Sequence, residues 1–133
     1  MRGKRKIIER RMEIIEALKK LDENVDLIIV EGKRDRYVLR KLGCKTNIIA
    51  LGDTHKPLLT LIEDLNMKYM GLKVAILTDF DEEGEELNKK IERILEGSSL
   101  KVERTLKDRL RKAMLEENRR RIEELIGLLE EEI

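Results

Sequence analysis

Val74, Ala75, Ile76 and Leu77 form a run with no polar side chain, and directly after it the chain turns acidic at Asp79, Asp81, Glu82, Glu83, Glu85 and Glu86. A short apolar run bounded by turn signals suits a strand covered on both faces, which requires helices on either side of the sheet. The residues that follow change to a helical period, with Leu87, Ile91, Ile94 and Leu95 on one face. An earlier unit repeats the arrangement. Asp26 to Val30, DLIIV, ends in Glu31-Gly32 and runs into a helical stretch from Lys33, with Tyr37, Val38, Leu39 and Leu42 expected inward. In an open parallel sheet, ligands bind outside the carboxyl ends of the strands. Parallel neighbours about 4.8 Å apart would bring Glu31, Asp79 and Asp81 to one such edge.

The remaining segments fit the same alternation. Lys4 to Leu21 has the period of an amphipathic helix, with Ile8, Met12, Ile15 and Leu18 on one face, Ile7, Ile14 and Leu21 beside them, and a break at Asp22-Glu23-Asn24. Asn47 to Leu51 is a third strand, and Gly52 to Pro57 is a loop expected at the same sheet edge. Pro57 suits the start of a helix whose inward face is Leu58, Leu61, Ile62 and Leu65. Leu100 to Thr105 is a short edge strand. From Leu106 to Ile133 the period is helical, interrupted near Asn118, with Leu106, Leu110 and Met114 on one stripe and Leu115, Ile122, Ile126, Leu129 and Ile133 on another. These elements predict a three-layer α/β fold of about four mostly parallel strands flanked by helices. One domain spans residues 1–133: an N-terminal helix (1–24), a core (26–105) and a C-terminal helical extension (106–133).

Charge and composition narrow the chemistry. Aromatics make up 2% of the chain, so the core is aliphatic and an autonomous base-stacking platform is excluded. Cys44 and His55 are each the only residue of their kind, which rules out an internal disulfide, a cysteine zinc site, a histidine-rich metal site and a serine-type triad. With no long apolar run, the chain reads as soluble and cytoplasmic, without a membrane association. A net charge of +1 hides segregation, because an acidic block over 60–99 lies between basic blocks over 1–59 and 100–121. That pattern suits a metal site with phosphate-binding surroundings; solvated helix faces with i,i+4 ion pairs would account for the flanks equally well.

Part of the acidic turn has an ordinary explanation, since Asp81 can cap the following helix while Glu82 and Glu83 complement its dipole. Asp79 is left over. So is Gly84, which costs about 1 kcal/mol against Ala inside a helix but permits close approach of a ligand or another backbone. Carboxylates at i and i+2 can share a hard cation such as Mg²⁺, which takes one or two carboxylates and keeps its waters. His55 and Lys56, in the loop at the same edge, could reach a bound phosphate.

The two acidic turns together resemble the Toprim domain of type IA and type II topoisomerases, bacterial-type primases and small ribosomal-RNA maturation nucleases. LIIVEGKRD, with Glu31, Gly32 and Asp35, is similar to that family's glutamate motif; LTDFDEEGEEL, with Asp79, Asp81, Glu83 and Gly84, is similar to its DxD motif. The resemblance covers about residues 26–105 and implies a stand-alone Toprim-like domain with helical extensions. It implies Glu31 as general acid/base, Asp79 and Asp81 as catalytic carboxylates holding Mg²⁺ (or Mn²⁺ in its place), and Glu83 as an additional metal ligand. Lys33, Arg34, His55 and Lys56 would then bind nucleic-acid phosphates, with Gly32 and Gly84 as motif glycines. Tyr37 and Tyr69 lie within helical units and no nucleophilic-tyrosine domain is present, which excludes strand passage. The reading that follows is a Mg²⁺-dependent nuclease of RNA-maturation type. The alternative is a non-catalytic module that binds nucleic acid, or a protein partner through its helical termini, within a larger complex.

Overall fold

The structure, a computed structural model, describes residues 2–130. Helix α1 (Arg2–Asn24) leads into strand β1 (Leu27–Val30), helix α2 (Lys33–Lys41), strand β2 (Asn47–Ala50), a single turn α3 (Leu51–Thr54) and helix α4 (Leu58–Lys68). Strand β3 (Lys73–Leu77), helix α5 (Glu82–Leu95), strand β4 (Lys101–Val102) and helix α6 (Thr105–Glu116) follow, then a 3-10 turn (Ile122–Ile126) and the short α7 (Gly127–Glu130). All pairings are parallel, in the order β2-β1-β3-β4. The chain steps outward from β1 to β2, then crosses back over β1 to β3 and on to β4, so the winding direction reverses between β1 and β3. Crevices at such switch points receive ligands in open α/β sheets.

The unbroken apolar runs have the expected cause. Ile28, Val30, Ala75 and Leu77 pack on one side of the sheet with residues of α1, α2, α6 and the C-terminal turns. Leu27, Ile29, Val74 and Ile76 point to the other side, against Leu61, Ile62 and Leu65 of α4 and Ile91 and Leu95 of α5. Every residue of β1 is buried, so neither face can carry a polar side chain.

Four expectations need correction. First, α1 buries Ile14, Ala17, Leu18 and Leu21, while Ile7, Ile8, Met12 and Ile15 are 40–63% exposed. Two adjacent stripes have helical spacing, and packing against α6 selected the one further along; the ion pairs Arg11–Glu117 and Arg109–Glu13 hold that contact. Second, α1 continues through Asn24, because the Asp22 carboxylate is engaged outside the helix and accepts from the Lys45 and Thr46 amides. Third, Tyr37 is 48% exposed with the Arg34 guanidinium and the Lys41 ammonium each 5.6 Å from its ring centre, and Asp35 takes the inward position. Fourth, the segment after β2 starts with the helical turn α3, and the edge strand shrinks to Lys101–Val102. Asn118 does mark a break, with a left-handed φ of 57°. Ile133, the end of the expected tail stripe, lies outside the described residues.

The α1 correction is testable by unfolding in denaturant. Ile14→Ala should lower stability by about 2–5 kcal/mol, the usual result for a fully buried aliphatic chain, while Ile8→Ala should change it by about 0.5 kcal/mol or less. Equal losses would place the inward stripe elsewhere.

Candidate functional site

Val30 and Leu77 are register partners on neighbouring parallel strands, so the residues just beyond them leave the sheet side by side at the switch point. Glu31 crosses that gap. Its Oε2 accepts a hydrogen bond from the Asp79 amide at 2.7 Å, joining the two acidic turns across 48 residues of chain. The Gly52 amide donates to the Glu31 carbonyl at 2.9 Å and brings the α3 turn to the same edge.

The DxD turn is built by main-chain contacts. Asp81 caps α5, its Oδ1 accepting from the Gly84 amide at 2.8 Å, while the buried Thr78 hydroxyl donates to the Gly84 carbonyl at 2.9 Å. A Cβ on Gly84 would lie 1.9 Å from the Asp79 carbonyl oxygen. Of the two neighbours its glycine signal allowed, another backbone and a ligand, the backbone is the one observed. Gly32 differs: its φ of −137° suits any residue, and nothing stands within 4 Å of where its Cβ would be. Open space therefore lies beside Glu31.

A third segment completes the site. After Asn118 the chain turns back, and the Phe80 amide donates to the Arg120 carbonyl at 2.6 Å. The Ile122 amide donates to Asp79 Oδ1 at 2.9 Å. Arg121 Nε stands 3.7 Å from Asp81 Oδ2, and the Glu124 carboxylate accepts from the Arg120 and Arg121 amides, which stiffens the turn. Sequence reasoning placed Arg119–Arg121 only within a basic block suited to phosphate and gave Ile122 and Glu124 no site role, because these contacts are made largely through main-chain groups that any residue supplies. The run Arg119–Arg121 after Asn118 is the only trace.

Burial raises the Asp79 pKa to about 6, the nearby Glu31 and Asp81 carboxylates push it the same way, and the Ile122 amide opposes them. Burial likewise raises Asp35, whose carboxylate accepts from Gly32 N at 3.1 Å and feels the charges of Asp79 and Glu123. Such a cluster favours a cation. Each aspartate has one oxygen oriented by a main-chain N–H, and their carboxyl groups stand beside Glu31 (for Asp79) and Arg121 (for Asp81). Among the described residues no three His, Cys, Asp or Glu side chains converge as a metal cage. Two aspartate carboxylates two residues apart are the donor type that suits a hard ion such as Mg²⁺, which takes one or two carboxylates and fills its shell with water and phosphate.

The other expected site residues are less closely gathered. Glu83 is exposed in the first turn of α5. His55, with a left-handed φ of 54°, ends α3, and Lys56 is turned to Asp64 at 2.7 Å. Lys33 and Arg34 are exposed in the first turn of α2 and, with Arg36, Tyr37 and Arg40, line an open groove of about 540 Å³.

The Asp79 shift fixes a sign. With a pKa raised from 3.8 to about 6 on folding, the folded state binds the additional proton between those values, so stability from this group is full below that window and is lost as pH rises through about 6. Scanning calorimetry with chelator present should therefore give Asp79→Asn a melting temperature close to the parent's near pH 4 and above it at pH 7. A difference that stays constant with pH would contradict the shift.

Comparison with known proteins bears on the same residues. The Toprim domain family model matches residues 26–110, which include both acidic turns. A UPF0292 protein of Thermococcus sibiricus is 37% identical over 113 residues, 85% of each chain. One of Thermococcus onnurineus is 40% identical over 113 residues, 85% of this chain and 80% of the relative. Among solved structures, a putative protein from Aquifex aeolicus superposes with a TM-score of 0.65 at 31% identity, over 85% of this chain and 95% of that one. Toprim domains generally bind Mg²⁺ and act on nucleic acid, and among the described residues no helix is long and apolar enough to cross a membrane. The chain belongs to the Toprim domain family and, by these relatives, to the UPF0292 proteins.

Proposed function

We propose that this protein carries out Mg²⁺-dependent phosphodiester cleavage on nucleic acid, as a nuclease of RNA-maturation type. The observation that carries the reading is the bond from the Asp79 amide to Glu31 Oε2, which unites a proton-transfer carboxyl group and two aspartates at the sheet's switch point. Asp79 and Asp81 would hold the cation, with Mn²⁺ able to substitute and Glu83 available at the helix start. When bound, the metal supplies positive charge to the phosphoryl oxygens.

The chain's own groups do the rest. The Asp79 amide holds one Glu31 oxygen and so orients the other for proton transfer. Water adds to phosphorus and gives up a proton to solvent, the bond from phosphorus to the leaving oxygen breaks, and Glu31 delivers a proton to that oxygen before recovering one from solvent. Open space at Gly32 admits the phosphate. Lys33 and Arg34, beside it on α2, bind neighbouring phosphates; His55 reaches the backbone further along the same edge, and Lys56 joins it by exchanging its exposed pair with Asp64 for a phosphate. A second reading, a non-catalytic module in a larger complex, draws on the exposed stripe Ile8, Met12 and Ile15 of α1, which suits a protein partner.

Glu31→Gln keeps an oxygen that can accept from the Asp79 amide but cannot shuttle the proton. Single-turnover cleavage of structured RNA and of DNA at saturating Mg²⁺ should therefore slow by about 10²–10⁴-fold, with Mn²⁺ binding retained. Parent-like rates would exclude Glu31 as the acid/base, and an inactive parent chain would favour the module. In calorimetric titration, Asp79→Asn and Asp81→Asn should each weaken Mn²⁺ binding. Unchanged affinity in both would remove the metal assignment.

A further inference from the structure

The turn at Arg119–Glu124 lies beyond the residues matched to the Toprim family, yet it forms one wall of the site. It supplies the Ile122 amide to Asp79 and the Arg120 carbonyl to Phe80, and it brings the Arg121 guanidinium to Asp81. We infer that Arg121 is a substrate-binding residue that grips a nucleic-acid phosphate next to the metal-binding aspartates. The inference rests on the phosphodiester reading above and adds to it a specific contact from outside the family domain.

The ion pair with Asp81 does not account for the placement. It is long, at 3.7 Å between Nε and Oδ2, and the two side chains are 59% and 33% exposed. An exposed pair of that kind contributes little to stability. The Asp81 carboxylate is meanwhile fixed by its capping bond to Gly84, and the turn itself is fixed by main-chain bonds and by Glu124. Arg121 is thus not needed to hold either element in place. A guanidinium next to carboxylates suited to a divalent cation would face like-charge repulsion once the cation is bound, unless an anion lies between them. Phosphate fits that position, since the planar fork can bind two of its oxygens at once.

The test measures binding by fluorescence anisotropy with labelled RNA hairpins, single-stranded DNA and duplex DNA in Mg²⁺, using Glu31→Gln as the parent to suppress cleavage. Adding Arg121→Gln should weaken binding by about tenfold and make the slope of log affinity against log salt shallower by about one. Arg121→Lys should recover only part of the loss. Lys20→Gln makes the same charge change on an exposed residue of α1, and it should leave affinity and slope near the parent values. Manganese affinity of the Arg121→Gln protein should be unchanged or higher, because Asp79 is held by a main-chain amide. Equal losses for Arg121→Gln and Lys20→Gln would reduce the effect to overall charge and overturn the inference. So would parent-like binding by Arg121→Gln, which leaves the phosphodiester reading standing. Lost manganese affinity would mean that the variant disturbs the aspartates, which also overturns it. A parent that binds none of the probes would remove both readings together.

Discussion

One hydrogen bond, from the Asp79 amide to Glu31, joins the two halves of the site and concentrates negative charge at its centre. Crowded, partly buried carboxylates are unfavourable in a fold, and the structure answers with main-chain donors: Ile122 for Asp79, Gly84 for Asp81 and Gly32 for Asp35. The amides offset only part of the cost, since burial first, and the Glu31 and Asp81 charges after it, still raise the Asp79 pKa. A residual preference for positive charge is the physical basis for reading this edge as a cation and phosphate site.

The two-sided core makes that edge rigid. With α1, α2 and α6 on one face and α4 and α5 on the other, β1 is buried throughout and β3 is buried beyond its first residue, Lys73, so the acidic turns leave the sheet from fully packed strand ends. Gly84 extends the same rigidity into α5, because the helix backbone presses directly on Asp79 where no side chain fits. Phe80, between the two aspartates, is buried in the core shared with Ile122, Leu125 and Leu128. The C-terminal turn is therefore anchored by apolar packing as well as by its bonds to the acidic turn. The family domain and its extension share one packed interior.

Much of this was legible in the amino-acid sequence. Continuous apolar strands ending in acids led to a parallel sheet with both faces covered, and the paired turns around Glu31 and Asp79 led to one edge and to the family. Those features are local: a strand buried on both faces tolerates no polar residue, and glutamate at its end answers no propensity rule. Where two answers were compatible with one pattern, the sequence did not choose. Ile8, Met12 and Ile15 have the spacing of a core stripe as fully as Ile14, Leu18 and Leu21, and Tyr37 adjoins Val38 and Leu39, which turn inward while its own ring does not.

Residue types and spacing by themselves determined the layers, the carboxylates and the turn glycines, because each rests on a short-range rule of burial, capping or backbone conformation. Tertiary structure alone decided the strand order that puts β1 beside β3, the face of α1 that turns inward, and the return of Arg119–Glu124 to the acidic turn. Those outcomes depend on which surfaces meet after the chain has crossed the sheet. The last of them is made largely by main-chain amides and carbonyls, which every sequence carries and none advertises.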